Sequence, residues 1–148
     1  MSTKMKIEFD GFRDLAERID KAGANLHDAV DEALAETQDI VQRELRTAAQ
    51  PYKTPGGSPK GHSTGSMYDA IIDDRQHVEW SGTTATIEVG FSAEKNRNGF
   101  MHSIFVMYGT PKMSKDPKIY NAIKGSRTKK LIYEAQKRTM EKYLKLGD

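Results

Sequence analysis

Leu26 to Ala48 reads LHDAVDEALAETQDIVQRELRTA. Leu26, Ala29, Val30, Ala33, Leu34, Thr37, Val41, Leu45 and Ala48 recur at three- and four-residue steps, while acidic and polar residues fill the positions between them. That period places one apolar stripe along a helix of roughly 24 residues, with Pro51 as its stop. A helix of this length needs an apolar partner layer, so the rest of the chain is read for what covers it.

Upstream, Lys6 to Phe9 (KIEF) alternates as a short strand does, and Asp10-Gly11 breaks it. Asp10 is placed to cap a helical run through Phe12, Leu15, Ala16 and Ile19, ending near Ala22 and Gly23. Downstream, Pro51 to Ser66 (PYKTPGGSPKGHSTGS) holds seven residues that are Gly or Pro. A loop of this length inside a domain is uncommon and is either functional or disordered.

Ser66 to Asp74 is apolar but too short for its period to choose between helix and strand. His77 to Ser81 and Thr84 to Phe91 flank Ser81-Gly82-Thr83, and Ala85, Ile87, Val89 and Phe91 alternate with Thr86, Glu88 and Gly90. Alternation on both sides of a glycine turn predicts an antiparallel hairpin. Ala93 to Gly99 reads as a polar loop. Phe100 to Tyr108 (FMHSIFVMY) reads as a buried element ended by Gly109, and Thr110 to Lys118 as a second loop. Ile119, Ala122 and Ile123, then Leu131, Ile132, Ala135, Thr139, Tyr143 and Leu144, predict two helical segments split near Gly125-Ser126. The expected fold is a single α+β domain over 1–148. It has a small antiparallel sheet packed by a long N-terminal helix and a C-terminal helix, with a long Gly/Pro-rich loop at 51–66.

Composition narrows the chemistry. The chain has 148 residues and no cysteine, which excludes disulfides and thiolate metal sites. The start, MSTKMKIEFDGF, lacks the apolar run of a signal peptide, and no stretch approaches the roughly 20 apolar residues of a membrane span. A soluble protein made in a cytoplasm is expected. Charge is polarised: 8–44 holds 11 acidic and 4 basic residues, and 112–148 holds 11 basic and 4 acidic. Such polarity suits nucleic acid at the basic end, a contact between the acidic face of one copy and the basic face of another, or two ordinary solvated faces.

Gly56-Gly57-Ser58-Pro59-Lys60-Gly61-His62-Ser63 has the spacing of a phosphate-binding P-loop, but His62 stands where the lysine is needed and a helix precedes it instead of a strand. His27, His62, His77 and His102 show no metal-ligand spacing, and Asp73-Asp74 would point to opposite faces of a strand. No Ser stands in a nucleophile elbow. No catalytic residue, cofactor or metal is expected. On the basic C-terminal helix, Lys129, Lys130, Lys137 and Arg138, with Lys142 and Lys145, are candidates for neutralising DNA phosphates, and Tyr133 and Tyr143 for stacking.

Two segments resemble a known family. Ser63-Thr64-Gly65-Ser66-Met67-Tyr68-Asp69-Ala70-Ile71, after a long acidic helix and a Pro-containing loop, resembles the "AP…TG.L..SI" pattern of the bacteriophage tail-component family. These are the neck and tail-completion (head–tail joining) proteins of long-tailed phages. Phe105-Val106-Met107-Tyr108-Gly109-Thr110, followed by Asp116-Pro117-Lys118-Ile119-Tyr120-Asn121-Ala122, resembles that family's "Y-A-x-x-V-E-x-G-T" and "R-P-F-L-x-P-A". The elements also come in the family's order, over roughly Phe12 to Leu146. Met107 replaces the usual Glu, Asn121 replaces a proline, and the loop before Thr64-Gly65 is longer than the family's.

The resemblance implies a structural, non-enzymatic virion protein acting as a ring, typically hexameric, between head connector (or stopper) proteins and tail tube protein. It would be found in the virion tail or neck and in host cytoplasm during assembly, without membrane contact. In that setting the 51–66 loop is expected as a mobile arm that settles against a neighbour, through Tyr52, Lys53, Lys60, His62, Thr64 and Gly65. Lys129, Lys130, Lys137 and Arg138 would face DNA in the lumen. Gly65 is expected to supply backbone freedom at the loop's exit. The alternative is a DNA-binding accessory protein that uses the basic C-terminal helix.

Overall fold

The computed structural model describes residues 3–9, 17–18, 26–58, 61, 63–81 and 84–147. The organising helix, α1 (Leu26–Ala48), spans 23 residues and buries Ala29, Val30, Ala33, Leu34, Thr37, Val41 and Leu45, as the stripe predicts. It also buries Gln38 and Ile40 on the flank of that stripe. Gln38 is satisfied there by polar contacts: its Nε2 donates to the Asp74 carbonyl (2.6 Å) and its Oε1 accepts from the Gln76 amide (3.0 Å). A buried amide with both ends bonded clamps 74–76 to the helix at little desolvation cost. The expected helical run over 12–22 lies outside the described residues, apart from Glu17 and Arg18, which are helical.

One side of α1 is covered by a three-stranded antiparallel sheet, made of β1 (Lys4–Phe9), β2 (Glu79–Ser81) and β3 (Thr84–Gly90) in the order β1-β3-β2. Met5 pairs with Val89 and Ile7 with Ile87, so the alternating apolar residues share the face that meets α1. Lys4, Lys6 and Glu88 take the other face, where Lys4 and Glu88 form an ion pair of 2.7 Å. The expected strand at His77 is shorter, starting at Glu79, and the turn residues Gly82 and Thr83 lie outside the described residues. β1 begins at Lys4, two residues before the expected strand, and its first residues pair with Val89 and Gly90.

The second side of α1 is covered by the long C-terminal helix. The predicted split falls at Gly125, between α5 (Pro117–Lys124) and α6 (Ser126–Gly147). Ala135, Met140 and Thr139 of α6 are buried, and Gln136 donates from Nε2 to the buried Thr37 hydroxyl at 3.0 Å. Ion pairs close the edges of this contact: Lys142 with Glu32 at 2.8 Å, and Arg127 with Glu44. The acidic and basic helices are therefore neighbours within one chain. Their polarity, read above as suiting nucleic acid, a contact between copies or two solvated faces, is partly satisfied within the chain.

The remaining elements gather at the C-terminal end of α1. They are α2 (Gln50–Lys53), α3 (Ser66–Asp69) and α4 (Arg97–Tyr108). Ser66 to Asp74, undecided by sequence, is one helical turn followed by a bridge from Ile71 to Phe91 beside β3. Two expected loops shrink because side chains cap the helices after them. Asn96 accepts from the Gly99 amide (3.0 Å), starting α4 inside the polar 93–99 segment, and Asp116 accepts from the Lys118 amide (2.9 Å), starting α5. The expectation of a wholly buried Phe100–Tyr108 is corrected. Gly99, Ser103, Val106 and Met107 face inward, but Met101 is 47% and Phe105 43% exposed. A helix spreads the largely apolar run over two faces, and only one has a partner here.

Candidate functional site

The described part of the 51–66 loop is folded back on itself. Ser63 is buried; its hydroxyl donates to the Thr54 carbonyl (2.8 Å) and accepts from the Ser58 amide (3.1 Å). The Gly56 amide donates to the Ser63 carbonyl at 2.7 Å. Loop entrance and exit are close: a side chain at Gly65 would lie 3.1 Å from the Lys53 carbonyl. These features make a compact Ω-type loop, in place of the expected projecting arm. Lys60 and His62 lie outside the described residues.

Tyr52 is 6% exposed and turned inward. Its hydroxyl donates to Asp116 Oδ2 at 2.7 Å, and its ring meets His102 edge-on at 6.1 Å. Burial, and then the Asp116 carboxylate beside it, push the Tyr52 hydroxyl well above the ordinary tyrosine range. That placement removes Tyr52 from the expected surface contacts and makes it a tie between the loop and the start of α5. Lys53 stays exposed, with its ammonium 5.5 Å from the centre of the Tyr68 ring. Gly65 adopts φ 89°, the left-handed region that a side chain resists, and from there the chain turns into α3.

At this exit a surface groove of about 650 Å3 opens, lined by Thr64, Ser66, Asn98, His102, Phe105, Thr110 and Met113. Its wall beyond α4 is a tight turn in which the Thr110 amide donates to the Met113 carbonyl at 2.7 Å. The groove continues past His102 and Met113 into a smaller hollow of about 270 Å3 beside Tyr52, Val106, Lys115 and Lys118. Gly99 lets the walls meet. A Cβ there would stand 1.9 Å from the Ser66 carbonyl oxygen, so α4 can touch α3 only with glycine at this position.

The groove has Phe105 and Met113 as its apolar lining and a few hydroxyl and amide groups, and Lys115 and Lys118 line the adjoining hollow. Its described polar lining is the Thr64, Ser66 and Thr110 hydroxyls, the Asn98 amide and the His102 imidazole, with no carboxylate. Among the described residues, no three His, Asp or Glu side chains are grouped as metal ligands and no helix is long and apolar enough to cross a membrane. Asp73 is an ion-pair centre: Lys95 donates to it first, Arg46 lies 3.0 Å away, and its carboxyl is held below the usual range.

Of the residues named from sequence, Thr64 and Thr110 lie far apart in the chain and line one groove, with Gly65 at the turn beside it. Asn98, Gly99, His102 and Met113 were not singled out. The signal available was the Asn96 cap: once 97–108 is taken as a helix, Met101 and Phe105 fall one turn apart, opposite Ser103 and Val106.

Lys129, Lys130, Lys137 and Arg138 lie on the outer face of α6, all exposed and without an ion pair among the described residues. Tyr133, 54% exposed, lies among them, whereas Tyr143 is drawn toward α1. Hydrogen bonding to Glu32 pushes the Tyr143 hydroxyl up to about 12. Lys142 in turn holds Glu32 below the ordinary carboxylate range.

Compared with protein-family models, curated proteins and solved structures, the chain matches none.

Proposed function

We propose that this chain is a non-enzymatic structural subunit at the neck of a tailed bacteriophage, joining or completing the tail at the head–tail interface as an oligomeric ring. The observation that carries the reading is the convergence of two resembling motifs on one surface. Thr64-Gly65-Ser66 and Gly109-Thr110 are more than forty residues apart, yet Thr64, Ser66 and Thr110 line the same groove. A groove with an exposed Phe105, continued by a hollow that Lys115 and Lys118 line, is suited to a protein partner. Tail tube and connector proteins are the partners this reading names, the virion neck is its location, and host cytoplasm is the place of assembly.

The test is electron microscopy of particles made by a phage lacking this protein. Free heads and unjoined tails are expected; normally joined virions would overturn the proposal.

A second reading, a DNA-binding accessory protein, is favoured by one observation: Lys129, Lys130, Lys137 and Arg138 have no ion pair among the described residues, while Arg127 and Lys142 are spent on α1. A salt titration of duplex binding separates the two. Phosphate contacts predict an affinity that falls steeply with salt and collapses in the four-fold alanine variant. No binding at low salt removes this reading.

A further inference from the structure

We infer that the groove beside α4 and the hollow that continues it seat a segment of a partner protein, in which an apolar side chain is followed closely by a carboxylate. The inference rests on the neck reading above and names the chemistry that the partner presents to this surface.

The trough has two unlike halves. In the groove the described lining carries no Lys, Arg, Asp or Glu: Phe105 and Met113 supply apolar surface, and Thr64, Ser66, Asn98 and Thr110 supply hydroxyl and amide groups. Phe105 and, one turn before it on α4, Met101 are both exposed, so the apolar surface here is a patch and not a lone side chain.

The hollow differs. It shares His102 and Met113 with the groove, so the two are continuous, and its wall adds Lys115 and Lys118. Asp116, the carboxylate among its described lining residues, is held by the Tyr52 hydroxyl at 2.7 Å and by the Lys118 amide at 2.9 Å. Neither lysine has an ion pair among the described residues; the Lys115 ammonium lies 4.9 Å from the centre of the Tyr120 ring. The tie that fixes the loop thus also keeps Asp116 from neutralising its neighbours.

This division selects the occupant. A nucleic-acid backbone brings a phosphate at every step, and the groove half has no lysine or arginine to meet one. A wholly apolar segment would strip water from Lys115 and Lys118 without a counter-charge. An extended segment satisfies both halves when an aromatic or aliphatic side chain covers Phe105 and Met113 and an Asp or Glu reaches the lysines. The hydroxyl and amide groups of the groove suit the N–H and C=O groups of such a backbone, and the opposite charges fix its direction.

Selection from a displayed library of random short peptides tests this on the full chain as wild type, as Phe105→Ala, and as Lys115→Glu with Lys118→Glu. These substitutions fall on exposed side chains, and native helix content is checked first. Wild type is expected to enrich peptides in which an aromatic or aliphatic residue is followed closely by Asp or Glu. A synthetic peptide of that consensus should bind about tenfold or more weaker to either variant. The double glutamate variant should select Lys or Arg in place of the acid. No enrichment on wild type, a consensus without acidic residues, or an unchanged consensus on the double variant overturns the inference. Sedimentation without peptide covers the other occupant: self-association abolished by Phe105→Ala gives the groove to a second copy and also overturns it. The neck reading fails separately, on normally joined particles made without this protein, and that failure leaves a measured peptide preference standing.

Discussion

The Tyr52 hydroxyl and Asp116 carboxylate decide how the loop is held. Replacing Tyr52 with Phe keeps the ring but leaves the half-buried Asp116 short of a donor. A loss of about 1–2 kcal/mol is expected in chemical denaturation. A variant as stable as wild type would mean that water replaces the hydroxyl without cost. Gly99 is the sharper case. With the Ser66 carbonyl oxygen 1.9 Å from where a Cβ would stand, Gly99→Ala must push α4 off α3. About 1–3 kcal/mol of destabilisation is expected, as for other overpacked positions. Because the same contact forms a groove wall, partner binding should fall further than stability does; equal losses would argue against the groove. The freedom needed at Gly65 was legible in its position after a polar loop. The need at Gly99 was not, because it arises from another element's backbone arriving there.

Among the elements, the 51–66 loop changed most between sequence and structure. Its Gly and Pro content says that it is no helix or strand, but it cannot say whether the segment projects or closes. Closure comes from Ser63, whose hydroxyl serves Thr54 and Ser58, and from the nearness of Lys53 to Gly65. Deleting 54–60 removes Thr54 and Ser58, so the buried Ser63 hydroxyl loses both partners; helix content should hold while stability falls by about 1–3 kcal/mol in chemical denaturation. Collapse of the fold in that variant would place the loop in the core. Likewise, the apolar run 100–108 was legible as an element, but its exposed side was not. Hydrophobicity marks what can be buried, and only the supply of partners determines what is.

For the whole molecule, the balance of charge between α1 and α6 governs the response to pH. Lys142, and then Tyr143, hold Glu32 below the ordinary carboxylate range, and Lys95 does the same for Asp73. Both carboxylates have folded values below their unfolded ones. Their stabilisation is therefore present above about pH 4, the ordinary carboxylate value, and is lost as pH falls through the folded values. At the alkaline end Tyr143 is raised to about 12, so its contribution is present below about pH 10 and lost on the way to 12. A Glu32→Gln variant should show a shallower fall in Tm on acidification, and one less sensitive to salt at neutral pH. Because these pairs are solvent-accessible, the effect is modest. Identical acid profiles for the two proteins would show that the pair contributes nothing to α1–α6 packing.

The sequence by itself determined the α+β class, the long helix, the hairpin and the split C-terminal helices. Each depends on a period or a breaker contained within a few consecutive residues. Only the tertiary structure decided that the acidic and basic helices lie side by side and spend part of their charge on each other. It also decided that Tyr52 turns inward, and that Thr64 and Thr110 share one groove with Phe105. Those facts depend on residues distant in sequence arriving at the same place, and no local pattern encodes where a face will find its partner.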